Sequence, residues 1–218
     1  DHFYHNNPER FVKGIWRTGI NDPNISIPIE GHARPSIRMP ERYPNGQWKN
    51  WSKTALLWMS IGYETQIPPI YTLTFYNAIA NNGRMMQPRF VKATVKNGDT
   101  LTAYPPQVVK GREQIASEKT IKIMQDLLHR VVINGTGKKA NSPNFWVCGK
   151  TGTAMIAKNG SYKGAPNHLL SFAGWFGEKD KPYYSCIVCI QKQGLPAYGW
   201  MSGQVFKDIA EGIMAKYV

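Results

Sequence analysis

Apolar residues recur every three or four positions in three parts of the chain, a spacing that places them on one face of an α-helix. The first part, residues 68–82, opens with two prolines and closes on Asn-Asn-Gly, which suits a helix start and stop. The second begins after Ser117, a suitable N-cap, and ends at residues 134–137. The third covers residues 201–217. Pro8 indicates an additional short helix that begins near residue 8.

Strand patterns lie between these helices. Residues 89–95 alternate apolar and polar side chains, a turn signal follows at Asn97-Gly98-Asp99, and residues 101–104 complete a predicted hairpin. Residues 25–29 also alternate. We interpret them as an edge strand, where Pro28 is tolerated.

The last third of the chain predicts a sheet. Three apolar segments of strand length follow one another there, and such a series favours an antiparallel meander. The turns between them are predicted around Lys158-Asn159-Gly160 and at residues 177–182. The chain is therefore expected to have an α/β (α+β) fold of antiparallel strands with flanking helices, including a C-terminal helix. The three strand segments are residues 145–154, 168–176 and 183–191.

The 218 residues fall into three parts by composition. Residues 1–50 hold six prolines and are loop-rich, residues 51–140 are mainly helical, and residues 141–218 contain the meander and the last helix. No apolar run reaches the roughly 18 residues of a membrane-spanning helix. The chain opens with polar residues and no initiator Met, so we expect it to begin inside a longer product.

The formal net charge is +13, from 27 Lys and Arg against 14 Asp and Glu. A field of this sign attracts polyanions such as nucleic acid, anionic lipid or an acidic polymer. The basic residues are spread along the chain, which favours a solvated basic surface. Aromatic residues make up 12% of the chain, too many for global disorder.

The three cysteines, Cys148, Cys186 and Cys189, are expected to be buried free thiols. The last two form a C-x-x-C, but within a strand residues three apart point to opposite faces. A redox pair favours a helix N-terminus, and zinc needs further ligands at suitable spacing, which the sequence lacks.

The sharpest chemical signal is Lys150-Thr151-Gly152-Thr153, late in the first strand of the meander. A strand at the edge of a sheet offers its backbone to an extended peptide, and Gly152 lets that peptide lie close. Lys150 supplies positive charge for a carboxylate and a proton relay, and Thr151 and Thr153 add hydroxyls. The backbone N–H of Thr153 suits one half of an oxyanion hole.

Six stretches together resemble class B penicillin-binding proteins, the D,D-transpeptidases of peptidoglycan synthesis. Lys-Thr-Gly is one of the motifs that these proteins share with β-lactamases, and here it stands within Gly-Lys-Thr-Gly-Thr-Ala at residues 149–154. The resemblance covers nearly the whole chain and is closest to the division-type (septal) branch. The other similar stretches are residues 60–64, 68–83, 88–91, 131–140 and 168–176.

The resemblance implies a serine β-lactamase/penicillin-binding-protein transpeptidase-like fold, here incomplete, and an acyl transfer that cross-links stem peptides. It implies that Lys150, Thr151, Gly152 and Thr153 are catalytic and substrate-binding elements of the groove. It implies no metal or organic cofactor. The expected partners are peptidoglycan stem peptides, β-lactams bound by the complete domain, and division-machinery membrane proteins. The expected location is the extracytoplasmic face of the bacterial inner membrane, with an anchor outside this chain.

The sequence departs from that family at its nucleophile. No Ser has a Lys three residues later, and Ser-x-Asn occurs only as Ser142-Pro143-Asn144, which we interpret as a loop close to Lys150. Ser60, in an expected loop, has Tyr63 where the Lys should be, and His168 has no acidic neighbour in sequence. We therefore expect the C-terminal part of a transpeptidase domain, inactive alone toward penicillin and peptides.

Two other functions stay open. A penicillin-recognising sensor would keep Lys150-Thr151-Gly152 for binding without catalysis, and a signalling module in the full-length gene would indicate it. The basic charge also fits a nucleic-acid-binding module, although the sequence shows no helix-turn-helix, zinc or RNP-like pattern.

Overall fold

The structure is a computed structural model that describes residues 3–4, 6–157 and 167–217. The chain divides into two compact units, one of Asp1–Phe75 and Met85–Ile115 and one of Tyr76–Arg84 and Ala116–Val218. In the described ranges, no helix combines the length and the apolar character needed to cross a bilayer. The turn predicted at Lys158-Asn159-Gly160 lies outside the described residues.

The first unit opens with helix α1, Pro8–Arg17, which starts where the sequence predicts it. The side chain of Asn7 caps its N-terminus and proline fills the first turn. Val12, on the inner side of α1, packs in a core with Trp51 and with helix α2, Ala55–Ser60. The sequence did not predict α2, because six residues are too few to show a helical period.

The strands of this unit are short. β1, Ser36–Ile37, pairs antiparallel with β2, Thr65–Gln66. β3, Ala93–Lys96, and β4, Asp99–Ala103, form the predicted hairpin. Asn97 has a positive φ at its turn, as tight hairpin turns require.

The edge strand predicted at residues 25–29 is wrong. The two isoleucines that alternate inward are buried, but no strand of the described chain pairs with this segment. The Ser26 N–H donates instead to Oε1 of Gln87 at 2.9 Å, and Nε2 of Gln87 donates to the Asn24 carbonyl at 2.7 Å. The long-range hydrogen bonds of this stretch thus go to one side chain, while the N–H groups of Ile25 and Ile29 donate to nearby carbonyls.

Helix α3, Pro69–Ala80, confirms the first long helix and its stop. The N–H of Gly83 donates to the carbonyl of Ala78 at 2.7 Å, and both Asn82 and Gly83 have positive φ. This left-handed turn satisfies carbonyls that the last turn of a helix leaves without partners.

The second unit contains the predicted amphipathic helix, meander and C-terminal helix. Helix α4, Glu118–Ile133, begins where the Ser117 side chain accepts a hydrogen bond from the Thr120 N–H at 3.2 Å. The sheet has the antiparallel order β5-β6-β7. The remaining elements are a 3₁₀ turn at Lys138–Ala140, β5 at Trp146–Met155, β6 at Asn167–Gly177, β7 at Pro182–Gln193 and helix α5 at Trp200–Tyr217.

The core of this unit lies between one face of the sheet and α5. The rings of Phe172 on β6 and Phe206 on α5 are 4.6 Å apart at their centroids, a close aromatic pair within a region from which water is excluded. This core fixes the sheet, and with it the position of β5. Its buried members are Val132, Ala140, Val147, Phe172, Phe176, Val188, Phe206 and Ala210.

Candidate active site

Lys150, Thr151, Gly152 and Thr153 lie on β5, at one edge of the three-stranded sheet. In the described part of the chain, the strand that pairs with β5 is β6 alone. Lys150 and Thr153 are exposed, and Thr151 and Gly152 are half-buried. The structure thus brings the predicted residues to an open strand edge.

Two hydrogen bonds show which backbone groups of β5 face that edge. The Val147 carbonyl accepts from Nδ1 of His129, on α4, at 2.8 Å rather than serving the β6 ladder. The Ile156 N–H, just past the strand, donates to the Asn167 carbonyl on the β6 side at 2.8 Å. Since backbone groups alternate in direction along a strand, the odd-numbered residues of β5 point theirs toward the open edge.

Thr151 and Thr153 are therefore the residues whose N–H and C=O groups face outward. The Thr151 carbonyl agrees with this direction, because it accepts from Nζ of Lys150 at 2.9 Å. The N–H of Thr153 is left as an outward donor of the kind that stabilises an oxyanion. The structure gives the direction of this N–H, and its role as an oxyanion donor stays a prediction.

Helix α4 holds the start of β5. His129 stacks on Trp146, with ring centroids 3.4 Å apart and an interplanar angle of 16°. The thiol of Cys148 donates to the Gln125 carbonyl at 3.8 Å, a distance typical of sulfur. These contacts fix where the start of β5 lies along α4, and they therefore fix the position of the residues that follow on the strand.

An ammonium and two hydroxyls meet beside the open edge. Nζ of Lys150 lies 3.3 Å from Oγ1 of Thr151, which in turn lies 2.8 Å from Oγ1 of Thr136. Thr136 is in the turn after α4, where the Gly137 N–H donates to the Val131 carbonyl at 3.0 Å. A positive charge with hydroxyl donors suits a carboxylate. We name Lys150, Thr151 and Thr136 the carboxylate cluster.

Close packing explains two glycines near this cluster. A Cβ at Gly152 would lie 2.5 Å from Oγ of Ser171, its partner on β6. A Cβ at Gly199 would lie 2.9 Å from Oγ1 of Thr153, so the loop before α5 runs against that threonine. From the sequence we attribute Gly152 to the close approach of a substrate. The structure gives a second reason for glycine at this position, because the Ser171 side chain occupies the space that a Cβ would need.

Sequence reasoning did not single out Thr136, Ser171 or Gly199. Thr136 and Ser171 lie within segments that carried the family resemblance, which was the available signal, and Gly199 had none. Only the tertiary structure shows that these three residues lie against the motif on β5.

The other candidate side chains take part in local contacts. Oγ of Ser60, the last residue of α2, donates to the Leu57 carbonyl at 2.7 Å. Ser142 is buried, and its Oγ accepts from the Asn144 N–H at 3.3 Å within one loop, as interpreted from the sequence. The buried Nδ1 of His168 has no hydrogen-bond partner among the described residues. None of these contacts activates a nucleophile.

All three cysteines are free thiols, but they differ in burial. Cys148 is buried, and burial raises the pKa of its thiol to about 12. Cys186 is half-buried and Cys189 is exposed, with the pKa of each raised by partial burial. The expectation of burial is wrong for Cys189, which lies on the face of β7 opposite to the core residue Val188. Within the described ranges, no three His, Cys, Asp or Glu residues group to hold a metal.

Comparison with known proteins identifies a family. The family model described as "Penicillin binding protein transpeptidase domain" matches residues 32–211. Stage V sporulation protein D of Bacillus subtilis is 31% identical over 156 residues, which cover 71% of this chain and 23% of that protein. Penicillin-binding protein PbpB of Mycobacterium tuberculosis is 27% identical over 180 residues, covering 76% and 26%. The chain thus spans about a quarter of the length of these relatives.

Solved structures show the same fold. Penicillin-binding protein 3 of Mycobacterium tuberculosis superimposes with a TM-score of 0.73 at 24% identity, over 96% of this chain and 47% of that one. The TP domain of penicillin-binding protein 3 from Burkholderia pseudomallei gives 0.64 at 24% identity, over 95% and 58%. The expected fold class is confirmed, and with the sequence match the chain belongs to the penicillin-binding protein transpeptidase domain family.

Proposed function

We propose that this chain is the part of a serine-type peptidoglycan D,D-transpeptidase that binds the stem peptide and stabilises the transition state of acyl transfer. The observation that carries the proposal is the open edge of β5. It presents the outward backbone of Thr151 and Thr153 on the same strand as the ammonium of Lys150. An extended peptide adds to such an edge as a further strand, held by main-chain hydrogen bonds.

Each residue then has a distinct role. The carboxylate cluster binds the terminal carboxylate of the peptide by charge-assisted hydrogen bonds. When a serine Oγ attacks the penultimate carbonyl, negative charge develops on the carbonyl oxygen, and the Thr153 N–H donates to it. The tetrahedral intermediate collapses as the bond to the nitrogen of the terminal D-alanine breaks, and that nitrogen takes the proton that the serine hydroxyl released on attack.

The attacking serine is not among these residues. No Ser-x-x-Lys is present in the 218 residues, so we propose that the chain alone forms no acyl-enzyme. In the complete domain, loss of an oxyanion donor such as the Thr153 N–H would lower kcat by about 10²–10³-fold.

The names and ligands of related proteins support this substrate class. One relative, from Mesostigma viride, is a "Peptidoglycan D,D-transpeptidase FtsI homolog". Penicillin-binding protein 3 of Mycobacterium tuberculosis has been solved with ampicillin and with aztreonam. We extend the proposal to septal cell-wall synthesis, to β-lactam binding by the complete domain, to division-machinery partners, and to a location outside the inner membrane, where peptidoglycan is made.

Peptide binding can be measured on the chain itself. We would follow the backbone amides by NMR while adding a peptide that ends in D-Ala-D-Ala, with its carboxamide form as the control. We expect the amide signals of Thr151 and Thr153 to shift with the peptide that has a free terminal carboxylate and not with its carboxamide form. Thr151→Val should weaken binding severalfold, whereas Thr94→Val, an exposed strand threonine on β3, should not.

The outcomes separate binding from catalysis. No shift at β5 at millimolar peptide would overturn the binding proposal. Covalent labelling of the isolated chain by a fluorescent penicillin would overturn its proposed inactivity. If the full-length gene product binds a β-lactam but is never acylated, a penicillin-recognising sensor becomes the better function.

A further inference from the structure

A concave basic surface lies on the first unit, along the exposed side of α1. The groove has a volume of about 690 Å³. Ligand sites in proteins commonly measure about 300–1,000 Å³, so the groove is large enough for a small headgroup. We name it the α1 groove, and its lining residues are Asn7, Arg10, Lys13, Trp16, Arg17 and Arg112.

The helical period explains why these side chains share one face. Asn7, Arg10, Lys13 and Arg17 follow one another at intervals of three or four residues. The three cationic side chains among them are exposed. Val12 is buried on the opposite side of the same helix. One face of α1 therefore anchors the helix, and the other presents positive charge.

Carboxylates compensate the positive charge of the groove only in part. In the described part of the chain, Arg10, Lys13 and Arg17 form no ion pair. The fourth cation of the groove, Arg112, is paired with the buried Asp22, whose Oδ2 accepts from Nε at 2.5 Å. Three cations that face one concavity repel each other, and a bound anion relieves that repulsion.

Arg112 gives the groove a fixed wall. Besides its bond to Asp22, its guanidinium donates to the Arg17 carbonyl at 2.9 Å. Gly19, at φ +83°, passes so close that a Cβ there would lie 3.0 Å from Nε. The guanidinium is thus held by two acceptors and keeps further N–H donors for a ligand.

We propose that the α1 groove binds the phosphate groups of a ligand. Guanidinium groups match phosphate because their parallel N–H donors bind two oxygens at once. Trp16, partly exposed at the side of the groove, suits a boundary between apolar and polar surroundings. The phosphate could belong to an anionic lipid headgroup or to a free phosphate compound, and the experiment separates these sources. The proposal does not depend on the transpeptidase assignment.

The test compares two variants of the 218-residue chain that lose the same charge. The first, R10Q/K13Q/R17Q, removes the free cations of the groove. The matched control, K53Q/K92Q/K96Q, removes three exposed lysines of the same unit that do not line the groove. Binding would be measured to phosphatidylglycerol vesicles, with phosphatidylcholine vesicles as the blank, and to inorganic pyrophosphate by calorimetry.

We expect the wild-type chain to bind a phosphate probe, the groove variant to bind it about tenfold more weakly, and the control to stay within about threefold. Binding to both probes would indicate a site for free phosphate compounds as well as headgroups, and binding to vesicles alone would indicate the lipid source. Equal losses in the two variants would overturn the proposal, because they would mean attraction by net charge. Equally tight binding of polyglutamate would also overturn it, because the groove would not select phosphate.

Discussion

The hydroxyl of Thr136 lies 2.8 Å from the hydroxyl of Thr151 and joins the turn after α4 to the open edge of β5. Lys150 reaches the same Thr151 hydroxyl at 3.3 Å. The carboxylate cluster is therefore built by two elements whose linked residues are 15 positions apart. The geometry of this cluster therefore depends more on how α4 packs against β5 than on the conformation of β5 alone.

Thr136→Val should weaken this connection without changing side-chain shape. The loss of one partly exposed hydrogen bond should lower the free energy of unfolding by about 0.5–1.5 kcal/mol. Urea denaturation of the two single variants and of Thr136→Val/Thr151→Val would give the coupling energy between the hydroxyls. Strictly additive effects would show that the two threonines do not interact.

Gly152→Ala should destabilise the sheet through Ser171. The new methyl group would lie 2.5 Å from Oγ of Ser171, and this hydroxyl would have to rotate away. We expect a loss of about 1–3 kcal/mol in the free energy of unfolding, as for other overpacked sites.

Ser171→Ala provides the control for that effect. Removing Oγ leaves the nearest Ser171 side-chain atom, Cβ, 3.8 Å from the new methyl group, an ordinary contact. Gly152→Ala should then cost much less in the Ser171→Ala background than in the wild type. An unchanged cost would place the obstacle in the strand backbone instead.

The three thiols should react with an alkylating reagent in the order of their exposure. Cys189 is exposed, Cys186 is half-buried and Cys148 is buried, with a pKa raised to about 12 by burial. Because the thiolate is the reactive form, Cys148 should stay unmodified at pH 8 until the chain unfolds. Mass spectrometry after timed alkylation gives the order, and early modification of Cys148 would show that β5 separates from α4.

The raised pKa of the Cys148 thiol also predicts how the stability of the fold depends on pH. The unfolded thiol of Cys148 loses its proton near its ordinary pKa of 9.0, whereas the folded thiol keeps it up to about 12. The folded state therefore binds more protons in this interval, and stability should fall as the pH rises from 9 toward 12. Cys148→Ala should make the unfolding curve less dependent on pH in that interval, compared with Cys189→Ala as the exposed control.

Long periodic elements could be predicted from the sequence, whereas short ones could not. Helix α4 and strands β5 to β7 repeat their apolar pattern often enough to fix both type and position. β1 and β2 contain two residues each, so they carry no pattern. Residues 25–29 alternate as a strand does, yet the Ser26 N–H donates to the Gln87 side chain, a long-range contact that no local pattern records.

The candidate site was predictable only in the part that is contiguous in sequence. Lys150, Thr151, Gly152 and Thr153 form a motif, and their chemistry follows from their side chains. Thr136 and Ser171 join them through the α4 turn and the register of β6, which depend on tertiary packing. The direction of the Thr153 N–H also needed the structure, because a slip of one residue would turn it toward β6.

That direction is open to a direct test with proline, which has no N–H to donate. The Thr153 N–H faces the open edge, whereas the Ala154 N–H points toward β6, on the same side as the Ile156 N–H. Thr153→Pro should therefore be the milder change, because proline is tolerated at a strand edge. Ala154→Pro should cost about 0.5–1.5 kcal/mol more in the free energy of unfolding, the value of one ladder hydrogen bond.

The Thr153→Pro variant should also lose the peptide-induced amide shift at neighbouring residues of β5 while remaining folded by circular dichroism. Greater destabilisation by Thr153→Pro than by Ala154→Pro would mean that the open edge of β5 presents the other set of backbone groups. Full peptide binding by Thr153→Pro would mean that this N–H does not hold the peptide.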